Sequence, residues 1–244
     1  MKLRPLACAA IGIGSITAAA AAGVDTTNPA TVAAFQSGLT VQTFESLAGR
    51  TPQPITAYTE GDPVSPTAFV FDQVPGVQFS VGGVVGINMP ALYQLGGTLA
   101  ANAHSGTTVL GPVNFDFQTH FGPGAFIEVF FPVKVSSVGF WLNPALGNVL
   151  LIATDTNLAF SGINENILES FNATVAGHFV GITRPTADIG GFKIIATGNT
   201  AFTIDDFSYG VSGQVTTPVP EPAEWTLLLA GLGALGAWRR RRAA

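Results

Sequence analysis

Cysteine is nearly absent. The 244 residues hold one, Cys8, inside an N-terminal apolar run with only seven residues before it. That is too short a stretch for a lipid-attachment cysteine, so Cys8 reads as part of a discarded leader. A mature chain without thiols excludes disulfides, thiol catalysis and thiolate metal sites. Cations are almost as scarce. Residues 24–219 carry 13 Asp and Glu against Arg50, Lys134, Arg184 and Lys193, a net charge of −9, which the two basic termini reduce to −5 for the whole chain. A body so poor in Lys and Arg has no footprint for gripping phosphates, and nucleic-acid binding is excluded. Charged residues are 10% and apolar ones 47%, which excludes disorder of the whole chain. Catalytic signatures are missing too. His104, His120 and His178 show no ligand spacing, no G-x-S-x-G turn frames a nucleophile, and Gly82 to Gly86 lacks the lysine and helix of a phosphate loop.

What is present is clearest at the two ends. Lys2 and Arg4 precede an apolar run to Ile16, and Ala18 to Ala22 supply small residues for cleavage after Ala20 or Ala22. Basic, apolar and small-residue parts in that order define a signal peptide over residues 1–22, handed to Sec-type export machinery. At the other end, residues 213–222 form a stiff linker, because Pro218, Pro220 and Pro222 forbid a helix there. Residues 225–238 are uncharged and end at once in Arg239, Arg240, Arg241 and Arg242. A helix over 223–238 would span roughly 24 Å, short for a hydrocarbon core of about 30 Å. Trp225 and Trp238 bracket it as interfacial anchors do, and the snorkelling arginines lengthen its effective reach. The basic end stays inside and the body outside.

Pro220-Glu221-Pro222, an apolar helix and a terminal arginine cluster, together over residues 220–244, resemble the PEP-CTERM sorting signal of exported bacterial proteins. The resemblance implies export, transient membrane insertion and recognition near Pro220, Glu221 and Pro222 by an exosortase-type transpeptidase. It also implies a Gram-negative producer of exopolysaccharide and a final place at the cell surface or in a biofilm matrix.

Residues 24–212 read as one all-β domain. Segments 125–131, 138–142, 148–153, 178–182, 192–196 and 201–205 are rich in β-branched and aromatic residues and are bounded by Gly, Pro, Asn or Ser. With 29 Gly, 16 Pro and all 18 Phe in the body, the pattern predicts a β-sandwich or jelly roll with one core. Helix is expected only near 30–38, 89–94 and 163–170. Phe202 and Ile204 alternate with Thr203 and Asp205, giving an inner and an outer face, and Asp206 breaks the alternation at a bulge. Phe44-Glu45-x-Leu47-x-Gly49, Gly76-Val77-x-Phe79, Val138-Gly-Phe140, Phe179-x-Gly181-Ile182 and Phe202-x-Ile204-Asp205-Asp206-Phe207 resemble jelly-roll domains that precede this sorting signal. Those domains are similar to galactose-binding-like and concanavalin-like sandwiches.

Candidate chemistry centres on Glu45, Asp205 and Asp206. Pairing of the first and last strands would bring them together. Two readings stand open: a structural Ca²⁺ site, the one cofactor the sequence suggests, and a solvated acidic edge that discourages aggregation. No D-x-D-x-D-G loop marks the first. Trp141, between Phe140 and Leu142, faces opposite to both, so it is either a sugar platform or part of a strand packed on both sides. His178 is expected as a satisfied edge residue, and Asn172-Ala-Thr174 as an incidental glycosylation pattern. The sequence therefore points to a non-enzymatic structural or interaction protein of the envelope or extracellular matrix, whose partners are the export machinery, the transpeptidase and the membrane. The alternatives are a carbohydrate-binding module associated with polysaccharide and a hydrolase acting on glycans.

Overall fold

The computed structural model describes residues 22–57, 63–79, 90–113, 126–143, 148–155, 166–197 and 202–212. The signal segment as far as residue 21, the linker, the expected membrane helix, Tyr58, Gly82 to Gly86 and His120 lie outside them. No helix among the described residues is long and apolar enough to cross a membrane.

The chain begins with β1 (Ala22–Thr26) and α1 (Pro29–Gln36). Asn28 caps α1, its Oδ1 accepting the Ala30 N–H at 2.9 Å, and Pro29 opens the helix where its missing N–H costs nothing. Then come β2 (Thr40–Gln42), β3 (Gln53–Ile55), β4 (Ala91–Leu95) and β5 (Thr108–Gly111), with a short 3₁₀ turn at Gly97–Asn102 before β5. The second half is strand after strand: β6 (Phe126–Val135), β7 (Ser137–Asn143), β8 (Asn148–Thr154), β9 (Ile167–Ala173), β10 (His178–Thr183), β11 (Ile189–Thr197) and β12 (Thr203–Gly210). The first sheet runs β1-β10-β7-β12-β5-β4-β3, with β2 also on β12, and the second runs β6-β11-β8-β9. Every described pair is antiparallel except β3–β4.

The two sheets form a β-sandwich. Ile127, Val129 and Phe131 of β6, Phe192 and Ile194 of β11 and Leu151 of β8 meet Phe140 and Leu142 of β7 and Phe202, Ile204 and Phe207 around β12. All are buried, and each such side chain contributes about 1.5–3 kcal/mol by leaving water. All six strands expected from composition are present. Two expected helices are not. Residues 91–95 form β4 and 167–173 form β9. Both segments were short enough for either periodicity, and pairing with β5 and β8 decided for strand. A second hydrophobic cluster, absent from the sequence expectation, packs Phe69, Ala91, Tyr93, Leu95 and Val109 on the opposite face of β4 and β5. It lies within the same sheet, not in a second domain.

The outward face of the first sheet is also covered. Gly139 and Gly181 are register partners on β7 and β10. A Cβ on Gly181 would lie 2.8 Å from the Val138 carbonyl and 2.9 Å from Phe35 of α1. These glycines floor a slot that Phe35 fills, edge-on to Phe179 at 5.0 Å. That is the physical reason for glycine in Val138-Gly-Phe140 and Phe179-x-Gly181-Ile182. Residues of β12 expected to face solvent are buried as well: Thr203 and Asp205 are both 0% exposed.

Candidate functional site

At the β12–β7 pairing, Asp205 lies opposite Trp141 and Ser208 opposite Gly139, so three steps of β12 match two of β7. The extra residue is a β-bulge, and Asp206 takes the left-handed conformation there (φ 47°). The bulge changes the parity of the strand. Phe202 and Ile204 face the core before it, Phe207 and Tyr209 after it. It also turns two consecutive carboxylates to the same outward side, where the segment 104–108 crosses.

Three carboxylates hold that segment, beside its backbone bonding to β4 at Thr107 and Thr108. The Ser105 N–H donates to Asp205 Oδ2 at 2.7 Å, and the Asp206 N–H donates to Asp205 Oδ1 at 2.8 Å. The Ser105 hydroxyl donates to Asp206 Oδ1 at 2.7 Å, and His104 Nδ1 lies 2.5 Å from Asp206 Oδ2. At the far side, Glu45 Oε1 accepts the N–H groups of Thr107 (2.9 Å) and Thr108 (2.8 Å). The His104 ring stacks on Trp141, centroids 3.8 Å apart and planes within 8°, while Phe179 meets Trp141 edge-on at 5.9 Å. Burial drives the Asp205 carboxyl up to about 6, with the neighbouring Asp206 charge adding to the rise and the Ser105 and Asp206 hydrogen bonds opposing it.

Glu45, Asp205 and Asp206 thus come to one segment, as strand pairing suggested, although Glu45 sits in the loop after β2 and not on a strand. β2 does pair with β12, Gln42 opposite Phe207. The solvated-edge reading does not hold for Asp205 and Asp206, which lie beneath the 104–108 segment. The residues fit a Ca²⁺ ion poorly. Asp205 Oδ2 and Glu45 Oε1 already face backbone N–H donors, whose positive ends oppose a cation. Among the described residues no three His, Cys, Asp or Glu side chains converge to hold a metal. Trp141 belongs to a strand packed on both sides. His178 is satisfied by Asp25 of β1, Nδ1 to Oδ1 at 2.5 Å. Sequence reasoning missed the role of His104 and Ser105, for which no local pattern stood out. Their only signal was a small, polar run ahead of Thr108.

Gly106 is the hinge of this clamp. It has φ 55°, and a Cβ there would sit 2.1 Å from the Glu45 carboxyl carbon. Gly106→Ala should therefore destabilise the body by roughly 2 kcal/mol, from left-handed strain of about 1–2 kcal/mol plus displacement of Glu45. Thermal melting checks it: a fall of roughly 4–8 °C is expected for a body of this size, and an unchanged melt would mean that Glu45 does not hold the segment.

The comparisons with known proteins speak to the far end of the chain. A family model for the PEP-CTERM protein-sorting motif matches residues 218–242. The chain carries a PEP-CTERM sorting motif. Pro220, Glu221, Pro222, Trp225, Trp238 and Arg239 to Arg242 all lie within the match. The motif implies export and exosortase-type sorting at the membrane, so this PEP-CTERM protein is an exported one. No curated protein matches the chain. Among solved structures it is similar to TmCBM61 in complex with β-1,4-galactotriose, at 19% identity and a TM-score of 0.30, over 49% of this chain and 80% of that one. A likeness at that score carries no argument about what this PEP-CTERM protein binds.

Proposed function

We propose that the folded body is a non-enzymatic structural or interaction domain of the envelope or extracellular matrix, carried outward by its PEP-CTERM motif. The observation supporting this reading is that the groups best suited to chemistry are already engaged in holding residues 104–108. Asp206 lies between Ser105 and His104, whereas nucleophilic catalysis needs the histidine next to the serine. Asp205 has the raised pKa of a general acid but is 0% exposed, so it has no path to a glycosidic oxygen. One ring face of Trp141 is taken by His104, and Phe179 meets the ring edge-on, so the open platform a sugar would stack on is reduced. Each of these polar contacts orders the outward face of the sandwich, which is what a stable extracellular module requires.

The purified protein, tested on a glycan array and on a panel of polysaccharides, is expected to retain no sugar and release none. Glycan retention abolished by Trp141→Ala would establish the carbohydrate-binding alternative. Release of reducing ends abolished by Asp206→Asn would establish a hydrolase.

A further inference from the structure

Both described ends of the body leave from one end of the first sheet. Ala22 of β1 pairs with Thr183 of β10, Thr183 with Ser137 of β7, and Ser137 with Gly210 of β12. That row of four strands spans only about 14 Å at roughly 4.8 Å per strand. Hydroxyls stitch it to the last described residue: the Ser212 N–H donates to Ser136 Oγ at 2.7 Å, and the Ser137 and Thr183 hydroxyls are 2.8 Å apart.

A protrusion stands at the same end. Just before Ser136, β6 advances from Phe130 to Val135 while β11 advances only from Gly191 to Ile189, five steps against two. The surplus puts Pro132, Val133 and Lys134 on the surface, with Val133 78% exposed, the most exposed large apolar side chain among the described residues. The nearby acids, Asp188 and Glu169, face Arg184, whose Nε lies 2.7 Å from Asp188 Oδ1 and whose Nη1 lies 3.8 Å from Glu169 Oε2. Asp205 and Asp206 lie toward the opposite end of the strands, beside Trp141. The tip beside the chain ends thus offers an apolar side chain and a lysine, with its neighbouring acids turned toward Arg184, while Asp205 and Asp206 lie away from it.

We propose that the Pro132-Val133-Lys134 tip, beside the Ser137–Thr183–Gly210 row from which the chain ends leave, is a membrane-facing surface that rests on an anionic lipid leaflet while the PEP-CTERM segment is inserted. The chemistry matches: an exposed apolar side chain enters the headgroup boundary, an adjacent lysine meets the negative surface potential, the nearby acids are turned to Arg184, and Asp205 and Asp206 stay beyond a Debye length of about 10 Å. The same polarity turns the His104–Trp141 face outward. This inference rests on the reading of the chain as membrane-sorted, and not on whether the body is a scaffold or a sugar binder.

The scarcity of cysteine makes the test direct. In a Cys8→Ser background of the full chain, Val133→Cys and Thr27→Cys each give a single exposed thiol for an environment-sensitive fluorophore. Thr27 follows the far end of β1, roughly 17 Å from Ala22. After reconstitution into vesicles of phosphatidylglycerol and phosphatidylcholine containing shallow spin-labelled lipid, quenching is expected to be several-fold stronger at 133 than at 27, and to fall on adding Lys134→Glu. Retention in the vesicles with equal or reversed quenching, or no response to Lys134→Glu, would overturn the orientation alone. Failure of the chain to associate with vesicles would overturn the anchoring reading and this one with it.

Discussion

Asp205→Ala should lower the melting temperature by roughly 6–12 °C near pH 4, where the buried carboxyl is protonated. The substitution removes the acceptor for two backbone N–H groups, of Ser105 and Asp206, and leaves them facing a space at the foot of a buried strand. Leaving a buried donor unpaired costs about 1–3 kcal/mol, so the pair sums to about 3 kcal/mol, and a body of this size loses roughly 2–4 °C per kcal/mol. The amides of residues 104–108 should also exchange faster, because His104 and Ser105 lose the geometry that Asp205 and Asp206 impose together. Full retention of both melting temperature and amide protection would mean that the bulge, and not the carboxylate, holds the segment.

The same residue sets a pH dependence with a definite sign. Burial holds Asp205 near 6 in the folded chain, above its ordinary value of 3.8, so the folded state binds the proton more tightly than the unfolded state. Its stabilising contribution is complete below about pH 4 and is lost as pH rises through 6, by up to about 3 kcal/mol. Asp188 works in the opposite sense. Hydrogen bonding to Arg184 lowers its carboxyl, so its contribution is lost only as pH falls below the ordinary carboxylate value, outside this window. Melting of the wild-type body should therefore fall between pH 4.5 and 7, and Asp205→Ala should flatten that slope. A wild-type melt that rose across the interval would contradict the burial of an ionised Asp205.

The second large effect concerns sorting. Replacing Pro220, Glu221 and Pro222 with alanine should make the membrane-retained, Arg-terminated chain the dominant species. Three prolines in five residues disfavour helix at the motif, and alanines would remove that bar. Mass spectrometry of the wild-type mature protein should place its C-terminus at or near residues 220–222. Secreted material that still ends in Arg239 to Arg242 would contradict processing at the motif.

How much of this was legible in the sequence varies by element. The strands from β6 to β8 and from β10 to β12 announced themselves because β-branched and aromatic runs ended at Gly, Pro or Asn. β4 and β9 did not: five to seven residues fit two periodicities, and only a partner strand chose between them. The bulge was visible as the broken alternation at Asp206. Its consequence, two carboxylates on one side beneath residues 104–108, was not visible, because Ser105 and Asp205 stand 100 positions apart with no local trace of the contact.

The chain's destination was written locally. Charge order, proline stiffness and apolar length act through neighbouring residues and need no folding, so the PEP-CTERM tail and the all-β character of the body follow from the sequence alone. The fate of its carboxylates was decided only by tertiary structure. Whether Asp205 meets water, a cation or an N–H depends on which distant segment lies across it, and register between strands, not adjacency in the chain, determines that.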